Sequence, residues 1–143
     1  MNERPLQIRG IDHLLLMVDD IERAIDFYQG VLGCTLKSRL PQFGMAELAA
    51  GSAGLDLVDI ASKEGAWARP AAAHGANLHH VCLAVDVADE AALRAHLAAH
   101  AAPILEERFE DGHLSLYVAD PGGNQVELRF IAGGSIAPEA PIH

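Results

Sequence analysis

Two short apolar runs, each closed by an aspartate, organise the chain: Ile11-Asp12-His13-Leu14-Leu15-Leu16-Met17-Val18-Asp19 and Leu78-His79-His80-Val81-Cys82-Leu83-Ala84-Val85-Asp86. Both have the length and composition of buried strands. A helical spacing follows each. After the first come Ile21, Ala24, Ile25, Tyr28 and Leu32, stopped by Gly33; after the second come Ala92, Leu93, His96 and Leu97, stopped before Pro103.

The two runs belong to an internal repeat, with His13 matching His80. Beyond the helices, LKSRLPQFGMAELAAGSAGLDL from Leu36 aligns with LEERFEDGHLSLYVADPGGNQVEL from Leu105. In this alignment Arg39 meets Arg108, Gly44 meets Gly112, Leu48 meets Leu116, and Asp56-Leu57 meets Glu127-Leu128. Each half therefore reads as strand, helix, then three strands. The predicted fold is α+β: two βαβββ modules pairing into a cup-shaped, barrel-like mixed sheet with helices outside. Module one spans about 8–60, an Ala/Gly/Pro-rich linker 61–77, module two about 78–131 and a tail 132–143, all in one domain.

Strand alternation sorts the side chains. The face under the helices must be apolar, and Leu14, Leu16 and Val18 supply it in the first strand. Leu55 and Leu57, then Val81, Leu83 and Val85, then Leu114, Leu116 and Val118, then Val126, Leu128 and Phe130 supply it in others. The same parity sends His13, Asp56, His80 and Glu127 to the uncovered face. Two imidazoles and two carboxylates suit Fe²⁺, Mn²⁺, Co²⁺, Ni²⁺ or Zn²⁺ better than Ca²⁺, which prefers more oxygen ligands. The rest of that face is expected to hold Leu15, Met17, Glu47, Val58, Ile60, Cys82, Ser115, Tyr117 and Arg129, with Arg129 its only basic group.

Composition narrows the classes. The formal net charge of −10 opposes nucleic-acid binding, whose affinity comes from Lys and Arg against phosphate. No apolar run approaches a membrane span, and MNERPLQIRG has no signal-like apolar core. Two cysteines make no disulfide framework, so a reducing cytoplasm is the expected setting. Four of the eight histidines, His74, His96, His100 and His143, lie in polar or Ala-rich stretches and are expected to be solvated.

IDHLLLMVDDIERAIDFYQGVLG, HVCLAVDV and SLYVADPGGNQVEL together resemble the vicinal oxygen chelate superfamily of glyoxalases, epimerases, extradiol dioxygenases, thiol transferases and bleomycin-binding proteins. The resemblance runs from about Ile8 to Phe130. It implies metal ligands at His13, Asp56, His80 and Glu127, with Asp56 standing where glyoxalases generally have Glu. It implies a glyoxalase-like enzyme of lyase or isomerase type, in which a divalent metal chelates two neighbouring substrate oxygens and stabilises an enediolate. Glu127 would then be the proton-transferring carboxylate, with Asp56 the alternative. Met17 and Ile60 occupy the places of an Arg and an Asn that help glyoxalases hold glutathione, so a glutathione-gripping pocket is not expected. The alternatives are a one-domain dioxygenase, a thiol transferase (Ser115 and Tyr117 match that group's S-x-Y), or a metal-free drug- or metabolite-binding protein. A homodimer is expected, with the cup formed either within a chain or across the dimer.

Overall fold

The computed structural model describes residues 5, 7, 9–69 and 78–134. The first module is β1 (His13–Val18), α1 (Ile21–Ile25) continuing into a π-helical segment (Asp26–Val31), β2 (Thr35–Leu40), β3 (Met45–Ala50) and β4 (Ala53–Asp59). The second is β5 (Val81–Ala84), α2 (Glu90–Ala99), β6 (Glu106–Glu110), β7 (His113–Ala119) and β8 (Gln125–Ile131). Much of the predicted linker and most of the predicted tail, with His74 and His143, lie outside the described residues.

The repeat is thus realised as two four-stranded sheets, ordered β1-β4-β3-β2 and β5-β8-β7-β6. In each, the first strand runs parallel to the last and the other pairs are antiparallel. The sheets do not close into the barrel-like sheet that was expected, because β2 and β6 end their ladders as edges; a cup-like pairing remains consistent with the two sheets.

Aspartates start both helices: Asp20 accepts from the Arg23 amide and Asp89 from the Ala91 amide. The first helix is not α-helical to its end. Its wider π turn buries the consecutive residues Phe27 and Tyr28, whose rings meet edge to face at 5.1 Å. The second helix buries a narrower stripe than the spacing predicts: Leu97 is buried and Leu93 half-buried, while Ala92 and His96 are exposed. His96 is nevertheless held, its Nε2 lying 2.7 Å from the Val31 carbonyl.

The core follows the predicted parity, with Leu16, Val18, Leu55, Leu57, Val81, Leu114, Leu116, Val118, Val126, Leu128 and Phe130 in one buried cluster. The repeat alignment needs correction in its middle. Glu47 opposes Asp56 and Tyr117 opposes Glu127, so Glu47 and Tyr117 are the counterparts; Leu116 then corresponds to Ala46, not Leu48. Arg39 opposes Ala46 whereas Glu107 opposes Leu116, so Arg39 corresponds to Glu107, not Arg108. The one-residue offset arises at a β-bulge in β2, between Leu36 and Ser38, and the offset at Leu116 arises because the β6–β7 hairpin is two residues longer between equivalent positions than the β2–β3 one. The two glycines do share a turn role: Gly44 (φ +67°) and Gly112 (φ +76°) both take left-handed backbone.

A buried polar cluster ties the modules together. Tyr28 donates its hydroxyl to Asp120 Oδ2 at 2.8 Å, and Asn124 Nδ2 reaches the Met17 carbonyl at 3.1 Å. Asp120 Oδ1 also accepts from the Gly122 and Asn124 amides, each at 2.8 Å, which shapes the Asp-Pro-Gly-Gly-Asn turn. Burial, then the Asp120 carboxylate, push the Tyr28 phenol far above its ordinary pKa, keeping it a donor. Tyr28→Phe should cost about 1–2 kcal/mol by urea unfolding, since Asp120 keeps its other donors. Asp120→Ala, which orphans all of them, should cost about 3 kcal/mol or more. Equal costs for the two variants would contradict the clamp.

Candidate functional site

All four predicted ligands lie on the faces the helices leave uncovered, but in two groups, one per sheet. On the first sheet, His13 opens β1, and its Cα partner on β4 is Gly54, two residues before Asp56. A Cβ at Gly54 would come within 2.7 Å of His13 Cβ, so the absent side chain lets β4 run close under the imidazole. His13 is solvent-facing and its Nδ1 sits 2.8 Å from Asp12 Oδ2. The Asp12 hydrogen bond, then the charge of Asp56, raise its pKa above the ordinary imidazole value.

Asp56 is buried, directly across the ladder from Glu47. Burial raises its carboxyl above the ordinary range; the His13 charge opposes that and Glu47 adds to it. Glu47 is itself fixed by Ser38, whose hydroxyl donates to Oε1 at 2.6 Å. This puts two carboxylates and one imidazole on neighbouring strands.

On the second sheet the groups are knit more tightly. His80 precedes the first β5 residue, Val81, so the expected strand start at Leu78 shifts to where pairing with Val126 begins. Its Nε2 lies 3.0 Å from Glu127 Oε1. Ser115 donates to Glu127 Oε2 at 2.6 Å, and the Tyr117 hydroxyl also points to this carboxylate. Burial works to raise the Glu127 pKa, but Ser115, Tyr117 and His80 together outweigh it and hold the carboxyl below its usual value. Cys82 lies across the ladder from Glu127. Its burial, then the Glu127 charge, raise the thiol, leaving it protonated and weakly nucleophilic at neutral pH.

The remaining expected lining falls as parity requires. Leu15 is exposed, Met17, Ile60 and Arg129 are half-buried, and Val58 is buried. Ser115 and Tyr117 are both buried beside Glu127. Sequence reasoning missed one member. Arg108 faces the same side as Ser115 and Tyr117, so Arg129 is not the only basic group there. The signal was available in β6: Glu107 pairs with Arg94 of α2, at 2.7 and 2.9 Å, which fixes the helix-side parity and sends Arg108 the other way.

Among the described residues of one chain, no three His, Cys, Asp or Glu side chains gather closely enough to hold a metal ion. The site within a chain is therefore two half-sites: His13 and Asp56 with Glu47, and His80 and Glu127 with Ser115 and Tyr117.

This architecture is that of a known family. The sequence profile of the glyoxalase/bleomycin resistance protein/dioxygenase superfamily matches residues 10–128, and the chain belongs to that superfamily. A lactoylglutathione lyase from Agrobacterium tumefaciens is similar at 29% identity over 87% of this chain and 95% of its own, with a TM-score of 0.66. An integron cassette protein from the mobile metagenome of V. cholerae is 25% identical over 87% of this chain and 97% of its own, with a TM-score of 0.65. A glyoxalase/bleomycin resistance protein/dioxygenase from Nocardioides, 24% identical over 95% and 92% of the two chains, shares the fold at a TM-score of 0.62. The superfamily contains both enzymes and non-enzymes. No helix among the described residues is long and apolar enough to cross a membrane.

The opposite shifts of the two buried carboxylates are measurable in metal-free protein. Glu127 is lowered, so its ionisation stabilises the fold above the unfolded-state value, and that contribution is lost as pH falls through the folded one. Asp56 is raised, so its ionisation opposes folding and stability is recovered as pH falls through its folded value. Carboxyl-carbon NMR titration should place Glu127 below and Asp56 above ordinary side chains, and Ser115→Ala should move Glu127 upward. An unmoved Glu127 in that variant would contradict the network.

Proposed function

We propose that the protein is a divalent-metal-dependent, glyoxalase-like enzyme whose metal centre is completed by a second copy of the chain. His13 and Asp56 of one protomer would face His80 and Glu127 of its partner. The observation that carries this is the division of the ligands: each sheet offers one imidazole and at least one carboxylate, and neither half suffices alone. A closed two-fold dimer brings unlike halves together twice, giving two identical centres.

The donor chemistry fits a mid-series divalent ion such as Fe²⁺, Mn²⁺, Co²⁺, Ni²⁺ or Zn²⁺. When bound, the ion supplies Lewis-acid polarisation of two neighbouring substrate oxygens. Around it the chain's own residues have distinct tasks. Ser115 holds Glu127 Oε2 and His80 lies against Oε1, so the carboxylate that takes a proton from the carbon beside those oxygens is held in one orientation. The donors around Glu127 keep it ionised at neutral pH, which a base requires. Asp56 is a methylene shorter than the Glu usual there, and Glu47, opposite it, has the reach to share its role. Leu15, Met17 and Ile60, with Val58 buried beneath them, give the cup an apolar lining, which suits a substrate with a hydrophobic portion and not a glutathione-gripping pocket.

This reading makes the protein a cytoplasmic, metal-holding homodimer acting on a small molecule with vicinal oxygens. The test is elemental analysis of protein purified without chelator, beside His80→Ala and Glu127→Ala. Wild type should carry about one divalent ion per chain, and each variant should lose at least tenfold in metal affinity. Full metal retention in both variants, or a wild type that takes up none on titration, would sink the proposal.

A further inference from the structure

The two sheets are built alike but lined differently, and one row differs in charge. On the second sheet, Arg108, Ser115 and Arg129 are successive Cα partners across β6, β7 and β8. The corresponding row of the first sheet is Leu40, Met45 and Val58, continued by Met17 on β1. One wall is apolar throughout; the other carries two guanidinium groups flanking a hydroxyl.

Arg108 and Arg129 stand on strands two apart, so their Cα atoms are roughly 10 Å from one another, a span two arginines bridge when both converge on one small group. Neither is tied to a carboxylate of the described residues, although Arg108 is held by the Tyr117 hydroxyl. Arg39 is bound to Glu22, and Arg94 to Glu90 and Glu107, within 3.1 Å. Among the described residues, neither Arg108 nor Arg129 forms a salt bridge. Glu106 and Glu110 flank Arg108 on its own strand without pairing to it. In a chain with 20 acidic and 10 basic residues, two arginines without a carboxylate partner on one uncovered face are an arrangement with a ligand in view. The row lies two residues along β8 from Glu127, which is about 7 Å.

We propose that Arg108 and Arg129, on either side of Ser115, bind a carboxylate of the substrate two strand residues along from Glu127, while the Met17–Leu40–Met45 wall takes an apolar part. A planar carboxylate matches the guanidinium fork. A single charge also suffers less from the chain's overall negative field than a doubly charged phosphate would. The substrate class is then an amphipathic acid bearing two neighbouring oxygens at the end away from its carboxylate. This rests on the vicinal-oxygen reading of the same site.

The test compares 3,4-dihydroxybenzoate with its neutral isostere 3,4-dihydroxybenzamide, by calorimetry on the zinc-loaded protein. The acid should bind about tenfold tighter or better, and the preference should fall to near unity in Arg108→Gln/Arg129→Gln. Equal affinities in wild type, or an undiminished preference in the double variant, would overturn the assignment. If neither catechol binds, the chelate reading fails and the row is judged alone. Benzoate titrated into metal-free protein should then shift two arginine Nε–H NMR signals, assigned by their loss in the single variants, while benzamide shifts neither. No response to benzoate would refute the row independently of the metal.

Discussion

A four-stranded sheet packed against a helix on one side has only its other side for ionisable groups. Alternation along the strand converts that restriction into placement. Leu55 and Leu57 are driven under the helices of the first module, so Asp56 between them must face away; Leu128 and Val126 do the same to Glu127. The cost of burying those two carboxylates is met differently. Glu127 has Ser115, Tyr117 and His80 around it. Asp56 has only the more distant His13 charge and a backbone donor, against the repulsion of Glu47. The second half-site is preorganised; the first is electrostatically unsettled, and gains most from an added cation.

The clamp at Asp120 decides how the two modules meet. The Asp-Pro-Gly-Gly-Asn turn is shaped by its own aspartate, and the same carboxylate takes the Tyr28 hydroxyl from the first module's helix. Asn124 closes the contact at the end of β1. A satisfied buried network of this kind fixes one arrangement of the halves as apolar packing alone does not. With that arrangement set, the half-sites of one chain stay apart, and in the proposed reading another copy completes them.

Much of this was legible in the sequence. The repeat, the alternating core and the position of every candidate ligand followed from hydrophobic period and parity, because those patterns report directly on which face is dry. What the sequence obscured lies where pattern and register part. Aligning Arg39 with Arg108 places two arginines alike, but a β-bulge between Leu36 and Ser38 slips the register of β2 by one, and a one-residue slip reverses a side chain's face. Arg39 thus turns to Glu22 on the helix side and Arg108 into the cup. The π-helical turn likewise has no periodic signature, since burial of adjacent Phe27 and Tyr28 breaks the helical spacing itself. The pairing of Tyr28 with Asp120 spans 92 residues and leaves no local trace.

The central claim is that the first half-site of one protomer and the second of its partner form a single metal centre. Mixing and re-annealing two variants tests it most directly: one with His13 and Asp56 replaced by Ala, the other with His80 and Glu127 replaced by Ala. Each alone should bind no metal. Random exchange should make half the dimers mixed, each with one intact centre, so the mixture should recover about a quarter of the wild-type metal per chain. Recovery of none, with mixed dimers demonstrated by mass spectrometry, would contradict a centre shared between subunits.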